Sequence, residues 1–254
     1  MANVIHLEIL KSGVEQWNTW RREFPKSRPD LTGADLTALS MDFSRADFSN
    51  ADLTKAKLSF VVLEKTILAD ARLNEARLYD ASVCGADLRG ADFSDAIVDG
   101  IKYDRKMKCL GARVDSCKGS ARFRRAVLEA DYIEAFAAES PVLSRLWGWT
   151  SDYSRSPFRI GIVGVLIICA FASIYYASPS LVHWPNTKWG DPRPMDLWFA
   201  PVYYSVVTFT TLGFGDIFPA TTGGEILSTI EVLIGYVWLG YLVSVLALRA
   251  SART

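Results

Sequence analysis

Hydrophobic and polar positions divide this chain near residue 156. Most of the charged side chains lie in residues 1–156, whereas residues 157–248 are mostly apolar and contain long runs of aliphatic and aromatic side chains. This division predicts a water-soluble amino-terminal half followed by a membrane-embedded half.

A period of five residues runs through the amino-terminal half, without a slip from Met41 to Arg105. This period fits neither an α-helix nor a β-strand, and it predicts a chain that turns a corner every five residues. Stacked coils of such a chain would pair their backbones as β-strands do. The third position of each block is large and the first position is small in most blocks, so both are predicted to point inward: Phe43, Phe48, Leu53, Leu58, Leu63, Leu68, Leu73, Leu78, Val83, Leu88, Phe93, Val98 and Tyr103 at the third position, and Ala46, Ala51, Ala56, Ala71, Ala76, Ala81, Ala86, Ala91 and Ala96 at the first.

These blocks resemble the pentapeptide-repeat family over residues 31–118, with a slip of two residues between Leu36 and Phe43. The resemblance implies a right-handed quadrilateral β-solenoid with four blocks per coil. A solenoid needs caps at its ends. Residues 1–30 are predicted to supply one as a single helix over residues 3–24, with one apolar face made of Leu7, Leu10, Val14, Trp17 and Phe24.

The charge of the repeats bears on their partner. Some members of the pentapeptide-repeat family mimic DNA through a strongly acidic surface, but residues 41–105 carry twelve acidic and nine basic side chains. The whole chain has a formal net charge of zero, and no nucleic-acid partner is expected because phosphate binding needs a basic face. We expect a rigid domain with a structural or gating role, which an unknown protein or ligand could bind.

Residues 119–156 are predicted to form linker and interfacial helices. Residues 120–139 have apolar side chains at helical spacing, and Pro141 is expected to end that helix. Trp147 and Trp149 then lie close to Arg145 just ahead of a long apolar run, a composition typical of a helix in the membrane interface. A soluble linker helix is the alternative.

Two stretches of residues 157–254 are long and apolar enough to span a membrane, at about 158–178 and about 224–248. Arginines lie before the first span and after the second: Arg145, Arg155 and Arg159 precede the first span, and Arg249 and Arg253 follow the second. The positive and negative charges of the loop between the spans balance. The positive-inside rule therefore places both termini in the cytoplasm. We expect an integral membrane protein in contact with lipid, in a bacterial inner membrane.

Between the spans, residues 197–210 are apolar but too short to cross a membrane, and a glycine-rich loop follows them. Irregular backbone at membrane depth is tolerated where it lines an aqueous path. The loop reads Thr-Thr-Leu-Gly-Phe-Gly-Asp over residues 210–216 and resembles the signature of potassium channels. The resemblance implies a homotetramer with a two-helix pore domain, a pore helix at about 197–210 and a selectivity filter at 211–216.

Potassium ions would be held by the Thr211 hydroxyl and by the backbone carbonyls of four residues, namely Thr211, Leu212, Gly213 and Phe214. Backbone carbonyls can replace the hydration shell of the ion if successive residues turn them inward, and glycines permit the required angles. Filter support is assigned to Thr210, Gly215, Asp216, Tyr204 and Glu231. Phe214 stands where many relatives have tyrosine.

Two positions of the second span have expected roles. Glu231 would be costly in lipid if unpaired, so we expect it to contact the pore helix near Thr208 or Thr210. Gly235 lies nineteen residues after Asp216, where two-helix potassium channels have a hinge glycine; helix packing is the alternative.

The predicted fold is thus a membrane α-helical two-helix pore domain plus a cytosolic β-solenoid. A potassium-selective channel is the expected function. The alternative is a membrane-anchored interaction platform with a non-selective or silent pore. No nucleophile–base pair, metal cluster or phosphate loop is recognisable, so we expect no enzyme activity.

Overall fold

The computed structural model describes residues 2–37, 42–184 and 199–251. The chain forms two compact units, residues 1–144 and residues 145–254. In chain order the helices are α1 (Val4–Lys11), α2 (Val14–Glu23), α3 (Ala121–Glu139), α4 (Pro141–Ser151), α5 (Pro157–Ala177), α6 (Ala200–Phe209) and α7 (Thr222–Ser251). A 3₁₀ turn at Pro179–Leu181 leads into strand β1 (Val182–His183), and strand β2 is Phe218–Pro219.

The repeats of the first unit stack as parallel β-bridges between successive coils. Asp42 pairs with Val62 and Ser82 with Lys102, so one coil takes twenty residues, or four blocks. Asp30 pairs instead with Asp52, a step of 22 that confirms the two-residue slip; residues 38–41 lie outside the described part. Beyond Lys102 the step becomes 21, because one extra residue enters before Lys108. That insertion was not predicted from the sequence.

The core of the solenoid follows the large-and-small alternation of the blocks. Every predicted third-position side chain from Phe43 to Val98 is at most 1% exposed, and the nine predicted small alanines are completely buried. Tyr103 is partly buried and packs against the same cluster. The prediction of the inward-facing positions is confirmed.

The amino-terminal cap consists of two helices rather than the predicted single helix. Gly13 separates α1 from α2 with a φ of +121°, a backbone conformation that interrupts a right-handed helix. Leu10 and Trp17 are completely buried on the solenoid, and the Trp17 indole donates a 2.7 Å hydrogen bond to the Asp47 carbonyl. Phe24 was expected on this face, but it follows the end of α2 and is 53% exposed.

Helix α3 covers the other end of the solenoid. The Ser120 side chain caps it by accepting from the Phe123 amide, and Phe123 is completely buried against Phe93 and Tyr103. Carboxylates of α3 also accept hydrogen bonds from backbone amides of the last coil: Glu134 from Cys109 and Leu110, and Asp131 from Gly111. These amides have no further coil to pair with, so α3 satisfies them as a carboxy-terminal cap.

Among the described residues of the second unit, α5 and α7 are the helices that are long and apolar enough to cross a membrane. The 21 residues of α5 extend about 32 Å, close to the thickness of a bilayer core. The shorter α6 packs against both. Helix α6 covers most of the range predicted for the pore helix, and residues 197–198 of that range lie outside the described part.

Candidate ion-conduction site

The loop after α6 alternates in backbone handedness. Thr211, Gly213 and Gly215 have φ values of +58°, +55° and +75°, whereas Leu212 and Phe214 do not have positive φ. Alternating left- and right-handed residues turn successive carbonyls toward the same side, unlike a β-strand, whose carbonyls alternate. One row of backbone oxygens from adjacent residues can replace part of the water around a cation.

Hydrogen bonds anchor the start of this loop to α6. The Leu212 amide donates to the Val207 carbonyl at 3.0 Å and the Thr211 amide to the Thr208 carbonyl at 3.1 Å. The Thr210 hydroxyl donates to the Val206 carbonyl at 2.6 Å, and the Thr211 hydroxyl donates to the Thr210 carbonyl at 2.7 Å. The loop therefore leaves α6 in a fixed direction.

Asp216 ends the loop and ties it back to α6. Its carboxylate accepts a 2.8 Å hydrogen bond from the Tyr203 hydroxyl and a 3.1 Å bond from the Ile217 amide. Tyr204, which was predicted to support the filter, has its hydroxyl 2.8 Å from the Ser228 hydroxyl of α7, and its ring packs on Tyr175. Adjacent residues of a helix point about 100° apart, and the two tyrosine hydroxyls contact different partners.

Glu231 contacts the pore helix, as expected, but at a different residue. It lies completely buried in α7, with one carboxylate oxygen against the Ser205 hydroxyl and the other 2.8 Å from the Tyr175 hydroxyl. Ser205 is about one helical turn before Thr208, and the Thr210 hydroxyl is already bonded to its own helix. The periodicity of α6 could have indicated Ser205 as an inward polar position.

Gly235 lies at the closest approach of α7 to the end of α6. A Cβ added there would come within 2.0 Å of the Phe209 carbonyl oxygen, so the backbones touch where a side chain would stand. This contact fits the packing role that was the alternative for Gly235. The hinge role stays a prediction.

The second half of α7 makes a further set of contacts that the sequence analysis missed. The Trp238 indole donates to the Ile160 carbonyl of α5 at 3.0 Å and fits against Gly164. The Tyr241 hydroxyl lies 2.8 Å from the Ser151 hydroxyl, 2.7 Å from the Ser154 hydroxyl and 3.2 Å from the Trp147 indole nitrogen. We call these contacts of Tyr241 the Tyr241 cluster; they hold α4 and the turn after it against α7.

Comparison with known proteins agrees with both halves of the chain. A family model described as an ion channel matches residues 162–251, and one for pentapeptide repeats matches residues 30–68 and 66–102 with eight copies. Among solved structures, a pentapeptide repeat protein of the Arabidopsis thaliana thylakoid lumen is 28% identical, over 36% of this chain and 58% of that one, at a TM-score of 0.30. HetL of a Nostoc cyanobacterium is 25% identical, over 37% and 48%, at 0.20.

Three relatives of this chain are potassium channels. Two-pore potassium channel 4 of Arabidopsis thaliana is 48% identical over 42 residues, and potassium channel K1 of Plasmodium berghei is 27% identical over 109 residues. They align with 16% and 43% of this chain, which spans 15% and 5% of their lengths. Potassium channel protein kcv of Paramecium bursaria Chlorella virus 1 is 31% identical over 77 residues, which are 30% of this chain and 78% of that protein.

The match to most of the viral channel, together with the ion channel model, decides the class of protein. It also separates this chain from enzymes. The chain belongs to the potassium channel family and joins a channel domain with two apolar helices to an amino-terminal domain of pentapeptide repeats.

Proposed function

We propose that the chain is one subunit of a potassium-selective channel whose filter is residues 211–216. The alternating handedness of Thr211, Gly213 and Gly215 carries the proposal, because it turns the carbonyls of residues 211–214 to one side. Potassium ions would bind these carbonyls and the Thr211 hydroxyl. Asp216 and Tyr203 would brace the filter from behind.

Four copies are needed to complete the site. One chain supplies one row of oxygens, and a cage that replaces a hydration shell requires several rows around a closed symmetry axis. In the single chain Leu212 is 58% exposed and Phe214 is 65% exposed, as residues at a subunit contact would be. Native mass spectrometry should give a homotetramer with no other stable stoichiometry.

The proposed setting is an inner membrane with both termini in the cytoplasm. Exposed apolar side chains line α5, which would face lipid: Phe158, Ile162, Val165 and Leu166. Helix α4 exposes Val142, Leu146 and Trp149 at helical spacing, and these would lie in the interface at the start of α5. The solenoid would then be cytosolic. The Tyr241 cluster joins α4 to α7, the helix that would line the pore.

Glycine substitutions in the filter test the proposal. Gly213→Ala and Gly215→Ala place a side chain at positive φ, so each should abolish potassium flux or its preference over sodium in liposomes. Gly240→Ala is the matched control, since a Cβ there meets no atom within 4 Å and its helix needs no positive φ. If all three variants kept the flux and selectivity of the parent, the filter assignment would be wrong.

A further inference from the structure

Glu231 is a buried carboxyl group that has no ion pair with a basic side chain in the part of the chain that the structure describes. The sequences of α5, α6 and α7 contain two basic residues, Arg159 in the first turn of α5 and Arg249 near the end of α7. Arg249 lies 18 residues after Glu231, or about 27 Å along the helix. An ionised carboxylate that is 0% exposed would lose its hydration and gain no opposite charge in return.

The hydrogen bonds around Ser205 require one proton more than its hydroxyl carries. The Ser205 oxygen lies 3.0 Å from the Ile168 carbonyl of α5, which can only accept, and it also contacts one oxygen of Glu231. A serine hydroxyl has one proton, so it can donate fully to one of these two partners. The second bond needs a proton from Glu231 itself.

Neighbouring hydroxyls do not supply the missing proton. The Tyr175 hydroxyl donates its proton to the other oxygen of Glu231 at 2.8 Å. Ser228 donates to the Gly224 carbonyl at 2.8 Å, so the Tyr204 hydroxyl, 2.8 Å away, must donate to Ser228. Each of these protons is already used.

We infer that Glu231 is held as a neutral carboxylic acid that donates to Ser205, which in turn donates to the Ile168 carbonyl. In this form it is a positioning residue, because it joins α7 to the pore helix α6 and to α5 at one point. The positioning role rests on the proposed channel function, whereas the protonation does not. Loss of the proton would leave Ser205 with two acceptors and one proton, and α6 would lose a contact to α5 or to α7.

The inference predicts a loss of flux as the pH rises. The titratable side chains that face Glu231 in the described part of the chain are Tyr175 of α5, in direct contact, and Tyr204 of α6, through Ser228. Within α7 the other carboxyl group is Glu225, which is exposed. Deprotonation removes the donor of the Glu231–Ser205 bond, so the contribution of that bond is present at low pH and disappears at alkaline pH.

Infrared spectroscopy of the full-length protein tests the protonation directly. The difference between wild type and Glu231→Gln at neutral pH should contain the carbonyl band of a carboxylic acid, shifted in heavy water. The same difference for Glu225→Gln, an exposed control, should contain the bands of a carboxylate instead. A carboxylate difference for Glu231 at neutral pH would overturn the inference.

Ion flux tests the positioning role. In Glu231→Gln the amide can donate to Ser205 and accept from Tyr175, so potassium flux at neutral pH should stay within about twofold of wild type. That variant should also keep its flux at alkaline pH, where wild type loses it. Glu231→Leu should lose flux at every pH. Equal pH profiles of wild type and Glu231→Gln, or flux in Glu231→Leu like that of wild type, would overturn the role.

The two hypotheses fail differently. If wild-type protein passed no potassium at any pH, the proposed channel function would fail and the positioning role with it. The infrared band would still show whether Glu231 carries a proton. If the infrared band of the carboxylic acid were present but the flux of the Glu231 variants matched that of wild type, Glu231 would be protonated and would have no positioning role in the pore.

Discussion

At the scale of single residues, the corners of the solenoid show what a five-residue period demands of the backbone. The fifth residue of most blocks has positive φ: Arg45, Asn50, Lys55, Phe60, Lys65, Asp70, Glu75, Asp80, Gly85, Gly90, Asp95 and Gly100. For residues other than glycine this conformation costs about 1–2 kcal/mol each. It persists because each corner is held between coils by backbone hydrogen bonds, such as Lys65 to Cys84 and Glu75 to Ser94.

The large and small inward positions could be predicted from the sequence because a side chain of the right size recurs every five residues. The corners could not, since the fifth position holds charged and polar residues, three glycines and one phenylalanine without a common type. The same limit applies to Tyr203 and Tyr204. Both are tyrosines of α6, and only the direction in which the helix enters the loop decides which of them meets Asp216.

Tyr203→Phe should weaken the filter while leaving the fold intact. The change removes the hydroxyl that donates to Asp216, a contribution of about 1 kcal/mol because the pair is partly open to solvent. We expect a lower potassium current that declines faster during a sustained voltage step, with the preference over sodium retained. Tyr176→Phe, at a 65% exposed position of α5, is the control. If the current of Tyr203→Phe had the same size and decline as that of the Tyr176→Phe control, the bracing role of Tyr203 would be contradicted.

At the scale of elements, helix existence and type followed from apolar periodicity, but the partners of each helix did not. Helix α3 was predicted from its spacing as part of a linker, yet Phe123 and its carboxylates make it a cap of the solenoid. The break between α1 and α2 depends on the φ of one glycine, which apolar spacing does not reveal. Such contacts depend on tertiary structure, which periodicity does not encode.

Gly235→Ala tests whether α7 needs a close contact at this position. A Cβ there would overlap the Phe209 carbonyl at 2.0 Å, so α7 must move away from the end of the pore helix. We expect a lower open probability, as a hinge would also give, together with a tetramer that dissociates at lower temperature. Gly240→Ala, with open space around its Cβ, should change neither. An unchanged thermal stability in Gly235→Ala would argue against the packing role.

Tyr241→Phe should loosen α4 from α7, because one hydroxyl contacts Ser151, Ser154 and Trp147. If the solenoid acts on the pore through α4, this variant should shift open probability in the same direction as removal of the solenoid. The two changes combined should then give less than the sum of their separate effects. Tyr236→Phe, at a 74% exposed position, is the control. Additive effects would mean that the solenoid does not act on the pore through the Tyr241 cluster.

At the scale of the whole molecule, the two units have separate hydrophobic cores. The solenoid core runs from Leu10 to Val127, whereas Tyr175, Val182, Tyr204 and Ile217 form a cluster of their own in the second unit. The order of a repeat domain followed by two spans was visible in the sequence because both signals are long. The contacts of the Tyr241 cluster were not visible, since they join residues about ninety positions apart within the second unit.

Removal of residues 1–139 should leave ion preference unchanged, because the proposed filter at residues 211–216 and helix α6 both lie outside the deleted segment. The deletion removes the solenoid together with its caps α1, α2 and α3, and it keeps α4. The buried face of α3 is therefore not left exposed to solvent. A packed solenoid is rigid and would restrain the inner ends of the helices. We therefore expect an altered open probability or tetramer content in liposomes. Unchanged flux and assembly would make the solenoid a docking module for another molecule.

The reversal potential of the reconstituted full-length chain tests the central claim most directly. Potassium is placed on one side of the bilayer and an equal concentration of sodium on the other. A filter of the proposed geometry should then give a reversal potential far from zero, with the potassium side negative. Barium, which has the size of potassium and twice its charge, should block the current. A reversal potential near zero, with sodium and potassium carried equally, would contradict the assignment of residues 211–216 as a potassium-selective filter.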